Sequence, residues 1–277
     1  MKKGIIKRLF TLVICISMFA SNLSVVQAKE ATTMEEMKSY LLGIGTPEYV
    51  LDTYESVESL KELYERVYNP EGNISCLGAT LILDDGTKVD SISGINSALP
   101  DKELIISCYA ETQSTQEQLI TKLYVNVNYK NNRLGDNYKI MKDLVATNWD
   151  PSLFVYNPNS LSYWCENDFG NYAQGSTLTE SAQGGIGWKT FRPDTNVSYY
   201  NGHAIFELLP RTSNMYFPLN STGYTMHFTS INAEYGWSEI PFGIGFSVAN
   251  GKVSIDPGIL FSGKVAASQA VRYYTRD

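Results

Sequence analysis

Histidine is almost absent from this sequence. His203 and His227 are the two in 277 residues, so any reaction that needs an imidazole base must use one of them. Cysteine is scarce as well, with four in all. No H-E-x-x-H, no paired C-x-x-C and no G-x-S-x-G is present, which removes the usual signatures of zinc hydrolysis, zinc or redox cysteine pairs and a serine nucleophile. DDGTKVD (84–90) lacks the spaced acids and the distal glutamate of a calcium loop and reads as a hairpin turn. GGIG (184–187) leads into Trp188 and a strand, whereas a phosphate-binding loop leads into a helix. Neither a metal nor a cofactor is expected. Long hydrophobic runs are missing too: the longest, LFTLVICISMFA (9–20), is well short of the roughly 20 residues that a spanning helix needs.

That short run has the context of an export signal. Lys2, Lys3, Lys7 and Arg8 precede it, and Val26-Gln27-Ala28 follows it with the small-residue pattern of a cleavage site. Cys15 lies inside the apolar run, after Leu12-Val13-Ile14, so it does not form a lipobox. Residues 1–28 are therefore expected to be a signal peptide, the mature chain is expected to start at Lys29, and a secreted product without a transmembrane anchor follows. Removing the four basic residues of 1–28 from the total of 22 leaves 18, against 29 acidic residues, or about −11. A surface of that sign argues against nucleic acid and against charge-driven binding to anionic lipid.

Three cysteines remain in the mature chain. An oxidising exterior allows one disulfide, and Cys76 with Cys108, both in strand-like runs, is the expected pair; the alternative is three small core residues.

The mature N-terminus reads as helical. Thr33 and Glu36 make a capping box ahead of Met34, Met37, Leu41 and Leu42. Thr46-Pro47 restarts a helix with Val50, Leu51 and Tyr54 on one face. SVESLKELYERVY (56–68) places Val57, Leu60, Leu63, Tyr64 and Val67 at helical spacing. After the turn cluster NPEGN (69–73) the period changes. KLYVNVNYK (122–130) alternates Leu123, Val125, Val127 and Tyr129 with Tyr124, Asn126 and Asn128, a strand with one dry and one wet face. KIMKDLVATNW (139–149) is expected to return beside it as a hairpin. Asn250-Gly251 is the strongest turn signal in the chain, since both residues tolerate positive φ. The expected fold is mainly β: an antiparallel β-sandwich over 73–277, preceded by two or three short α-helices within 29–72.

Candidate chemistry is thin. A cysteine nucleophile needs a base, and His203 at a presumed turn or His227 in TMHFTSI would have to supply it. Glu166 and Asp168 in YWCENDFGN form the one tempting acid pair, for a hydrolase or for calcium, although two acids two residues apart are close for a two-carboxylate mechanism. Asn167, Gly170 and Asn171 around them suggest a loop whose polar groups bond its own backbone. Nineteen tyrosines and four tryptophans stand out. Trp149 and Trp188 read as core, and Trp164 as the exposed tryptophan. Trp164, Glu166 and Asp168 are thus the candidate ligand-binding residues.

YLLGIGTPEYVLDTYESVESLKELYE, LYVNVNYKNNRLGDNYKIMKDLVATNWD, GGIGWKTF, GIGFSVANGKVSIDPG and AVRYYT, in that order, resemble a family of uncharacterised secreted proteins of Gram-positive bacteria. The resemblance implies export, N-terminal helices and a β-rich body, and it carries no catalytic residues. The expected function is non-enzymatic binding at the cell exterior, to a wall polymer, a cell surface or a protein partner. The alternatives are a hydrolase using Glu166 or Asp168, and a membrane-active toxin or bacteriocin inserting GWSEIPFGIGFSV (236–248).

Overall fold

The structure is a computed structural model that describes residues 33–69, 73–83, 86–89, 102–113, 118–131, 142–167, 172–190, 200–217, 222–238, 243–258 and 262–276. The expected signal peptide and Asp168 lie outside the described residues.

Among the described residues three helices come first: α1 (Met34–Gly43), α2 (Glu48–Leu51) and α3 (Val57–Val67). Both hydrogen bonds of the Thr33/Glu36 capping box form, each at 3.2 Å. Ser56 caps α3 by accepting the Ser59 amide at 3.1 Å. The start of α2 differs from expectation. Pro47 is its N-cap, and the Thr46 hydroxyl turns instead to the Tyr109 hydroxyl.

Fifteen strands follow among the described residues. In chain order they are β1 (Asn73–Leu83), β2 (Lys88–Val89), β3 (Lys102–Thr112), β4 (Ile120–Asn131), β5 (Lys142–Asn148), β6 (Phe154–Tyr156), β7 (Ser162–Asn167) and β8 (Tyr172–Gly175). Then come β9 (Glu180–Ala182), β10 (Gly185–Lys189), β11 (Tyr200–Pro210), β12 (Tyr224–Ser238), β13 (Ile244–Ala249), β14 (Lys252–Pro257) and β15 (Ser262–Arg276). All pairings are antiparallel. The first sheet runs β2-β1-β3-β4-β11-β7-β8, with β6 beside β11; the second runs β15-β12-β5-β10-β9. Leu104, Ile106, Val125, Val127 and Phe206 of the first sheet meet Val145, Trp188, Ile231 and Tyr235 of the second in one core. Trp149 and Trp188 are in that core, as expected. The mainly β sandwich behind short helices is therefore what the chain forms.

β5 is a correction. It was expected beside β4, but both edges of β4 are taken, by β3 and β11, and β5 lies in the opposite sheet between β12 and β10. Alternation fixes which face of a strand is dry, and it says nothing of the neighbour across the ladder.

Each sheet also has an outer cover. Residues 33–277 make one compact unit, and the helices lie on the outer face of the first sheet: Tyr49 donates to the Ala79 carbonyl at 2.8 Å, and Tyr54 reaches Asn126 and Asn128. The hairpin β13–β14 turns at Asn250-Gly251, with φ of 53° and 73°, and covers part of the second sheet. Ile244, Val253 and Ile255 pack there on Leu144 and Ala146. The described ends of 236–248 therefore belong to β12 and to this packed hairpin.

Close approach sets one glycine. Gly202 pairs with Tyr129 across β4 and β11, and the Tyr129 ring fills the space that a Cβ would take. Gly202→Ala is expected to cost about 1–3 kcal/mol by overpacking. Gly245→Ala, with nothing within 4 Å of its Cβ position, is expected to stay within about 0.5 kcal/mol of the parent. Urea unfolding midpoints compare the two.

Candidate binding surface

The segment that carries Trp164 and Glu166 is a strand, β7, and all six of its residues are buried. Trp164 was expected to be exposed and is fully buried; its indole N–H donates to Ser59 Oγ at 2.7 Å. His203, expected at a turn, is in the middle of β11 opposite Trp164 and is also fully buried. Its ring is stacked between Tyr54 at 4.4 Å and Trp164 at 5.5 Å. The common cause is α3 with the residues just before it, which cover this side of the sheet.

Glu166 is the centre of the contact. One carboxylate oxygen accepts the Glu55 amide at 3.0 Å and faces His203 Nε2 at 3.1 Å. The other accepts the Ser56 amide at 3.2 Å and its hydroxyl at 2.7 Å. His203 Nδ1 faces the Asn128 side-chain oxygen at 3.1 Å, so both ring nitrogens point at side-chain oxygens. Tyr54 donates toward Asn126 and Asn128, and Asn126 donates to Ser107 Oγ at 3.1 Å. Burial pushes the Glu166 carboxyl up, but the hydrogen bond and charge of His203, with the Glu55 amide and Ser56, outweigh it and hold the pKa below its ordinary value. The acceptor sites of this carboxylate are occupied by the protein itself.

Among the described residues Cys76, Cys108 and Cys165 form no disulfide. The register sets Cys76 opposite Tyr109, on the face toward the helices, while Cys108 points into the core between the sheets, so the expected disulfide is not formed. Burial raises the Cys76 thiol to about 11 and the Cys108 thiol further. Cys165 is in the same core, against the Tyr129 hydroxyl at 3.3 Å and on the other side of the sheet from His203, so the Cys–His pair does not form either. His227 is half-buried, bonded to Thr275 Oγ1 at 2.8 Å. Among the described residues no cluster of acids, histidines and cysteines could hold a metal ion.

An exposed aromatic face does exist, on the second sheet. β12 sends Ile231, Ala233 and Tyr235 inward, and the alternate residues outward. Near its start those outward residues are Met226 and Phe228, 50% and 63% exposed. Across the ladder they pair with Tyr274 and Arg272 of β15. The Arg272 guanidinium lies 5.9 Å from the ring centres of both Phe217 and Tyr274. Beside it, where β1 of the first sheet approaches β15, is a groove of about 340 Å³ lined by Cys76, Leu77, Phe217, Phe228, Ala270 and Arg272. Sequence reading passed over this face because no motif marks it; the alternation of TMHFTS with its outward Met226 and Phe228 was the available signal.

No protein-family model matches the chain, and no curated protein matches it in sequence. Solved structures with some likeness include the collagen-binding domain of a Staphylococcus aureus adhesin, at 12% identity and a TM-score of 0.26 over 52% of this chain and 87% of that one. The pilus backbone of Streptococcus pneumoniae is 9% identical with a TM-score of 0.30, over 72% of this chain and 50% of that one. A pore-forming protein reaches 0.30 at 4% identity, over 72% and 91%. Likeness at this level assigns no activity.

The Glu166 contact predicts a pH dependence. A carboxyl held below its ordinary pKa by folding adds stability above that ordinary value and loses it as pH falls through the lower, folded value. Glu166→Gln is expected to cost about 3 kcal/mol near neutral pH, since it strands the buried partners of the carboxylate. The gap between parent and variant should narrow as pH drops below about 4. Denaturant midpoints of both proteins across that range measure it.

Proposed function

We propose that this chain is a secreted, non-enzymatic protein that binds a partner at the cell exterior, through the outer face of β12 and β15. The observation that carries the reading is the exposure of Met226 and Phe228 side by side, next to the Phe217–Arg272 groove. Apolar side chains grouped on a folded surface, beside an arginine and rimmed by polar residues, have the composition of contact sites. An N-terminal segment with the features of an export signal supports the exterior location. Among the described residues no helix is long and apolar enough to cross a membrane. Trp164 and Glu166, the first candidates, serve the helix contact, and the binding role passes to Phe228 and its neighbours.

Co-sedimentation tests the proposal. Residues 29–277 are incubated with intact Gram-positive cells and, in parallel, with their insoluble wall. Saturable pelleting is expected with one of them. The Met226→Ser/Phe228→Ser double variant, with unchanged circular dichroism, is expected to bind at least about tenfold more weakly. A parent protein that stays in the supernatant throughout, or a double variant that pellets equally well, refutes the assignment.

A further inference from the structure

Resting on the reading of this face as the binding surface, we infer that the groove takes a peptide segment in which an apolar side chain adjoins a carboxylate. The lining has two chemistries. Leu77, Phe217, Phe228 and Ala270 supply apolar walls, and among the described lining residues Arg272 supplies the one charge. Among the described residues Arg272 makes no ion pair; its guanidinium lies over two aromatic rings, Phe217 and Tyr274. A guanidinium seated on aromatic faces is held in place by them, and its N–H edge remains the part that can meet a carboxylate. The whole chain carries a formal charge of −7, and an arginine with no acid partner among the described residues is complementary to an anion.

Other occupants fit less well. A glycan stacked on Phe217 or Phe228 needs several hydrogen-bonding side chains around the ring, and the lining offers one guanidinium and the thiol of Cys76, which burial holds protonated. A phosphate polymer needs a row of cations. On the outward row of β15 the nearest other cation, Arg276, lies four positions on beside Asn214, roughly 13 Å along the strand, and Lys264, eight positions back, is paired with Glu234 at 3.4 Å. The volume of about 340 Å³ is at the low end of ligand sites, roughly 300–1,000 Å³, and suits one or two side chains.

Small probes test the groove without knowledge of the natural partner. N-acetyl-leucyl-phenylalanine with a free carboxylate is titrated into ¹⁵N-labelled residues 29–277, alongside its C-terminal amide and N-acetyl-aspartyl-phenylalanine amide. Amide shifts at Phe217, Phe228, Ala270 and Arg272 are expected with the free acid, and binding about tenfold weaker with the leucyl amide, the loss expected for one charge-assisted hydrogen bond. Binding of the aspartyl probe at the level of the free acid would place the carboxylate on a side chain; weaker binding would place it at a chain terminus. Either result supports the inference. Arg272→Gln should erase the difference between acid and amide, and Phe228→Ser should weaken both. Equal binding of acid and amide, unchanged preference in Arg272→Gln, or no shift at the groove overturns it. Should the dipeptides fail while cell or wall binding still depends on Met226 and Phe228, the surface reading stands and the peptide chemistry falls; failure of both removes the surface itself.

Discussion

The carboxylate of Glu166 is the point on which the two halves of the architecture depend. It accepts the amides of Glu55 and Ser56 and the Ser56 hydroxyl, and it faces His203. Ser56 is also the N-cap of α3, so the same few atoms start a helix and fasten it to the sheet. Amides at the start of a helix have no partner within the helix, and a negative charge there is favourable. A buried carboxylate is costly unless paired and hydrogen-bonded. Each half therefore answers a need of the other, which explains how three short helices, none stable alone, hold one orientation on the sandwich.

The neighbouring side chains follow from that constraint. Asn126, Asn128, His203, Ser107 and Trp164 would suit a face open to water, yet they are buried, and their hydrogen bonds are made with one another and with Tyr54 and Ser59. A buried polar network of this kind, closed except at the Asn128 side-chain nitrogen, which has no partner, specifies one arrangement more sharply than an apolar contact of equal area, because a small displacement leaves further charged or polar groups unpaired. The apolar work is done elsewhere: between the sheets, and under β13–β14, where Asn148 adds paired hydrogen bonds to Val253 at 2.7 and 2.8 Å.

What was legible in the residues was local. The capping box at Thr33, the helix after Ser56, the alternation of β4 and the Asn250-Gly251 turn each rest on interactions within a few positions, and each is present. What was illegible depended on distant chain. The wet side of β4 is wet in pattern only, because the cover for Asn126 and Asn128 comes from Tyr54, more than 70 positions away. Trp164 and His203 were misplaced for the same reason: polar neighbours in sequence suggested loops, while the strands pair them and α3 covers them. β5 left its expected partner because pairing is a competition among strands, and β11, far along the chain, takes that edge of β4.

Covering one face of each sheet narrows where such a molecule can meet anything else. The outer side of the first sheet is occupied by the helices over β3, β4, β7 and β11, and the side chains with reactive chemistry, Glu166 and His203, are committed beneath them. The inner faces form the core. On the second sheet the hairpin covers β5 and the end of β12 near Glu234, whose carboxylate accepts the Ile255 amide at 2.7 Å. Among the described residues nothing of the kind covers the opposite end of β12, where Met226 and Phe228 are exposed. There the strand keeps Met226 and Phe228 outward, where alternation alone would be satisfied by serine or threonine, as at Ser230. Large apolar side chains at such positions lower solubility and add nothing to the core. Their placement beside Arg272, in a molecule that encloses its other polar centre so completely, makes contact with a partner the physical role best suited to them.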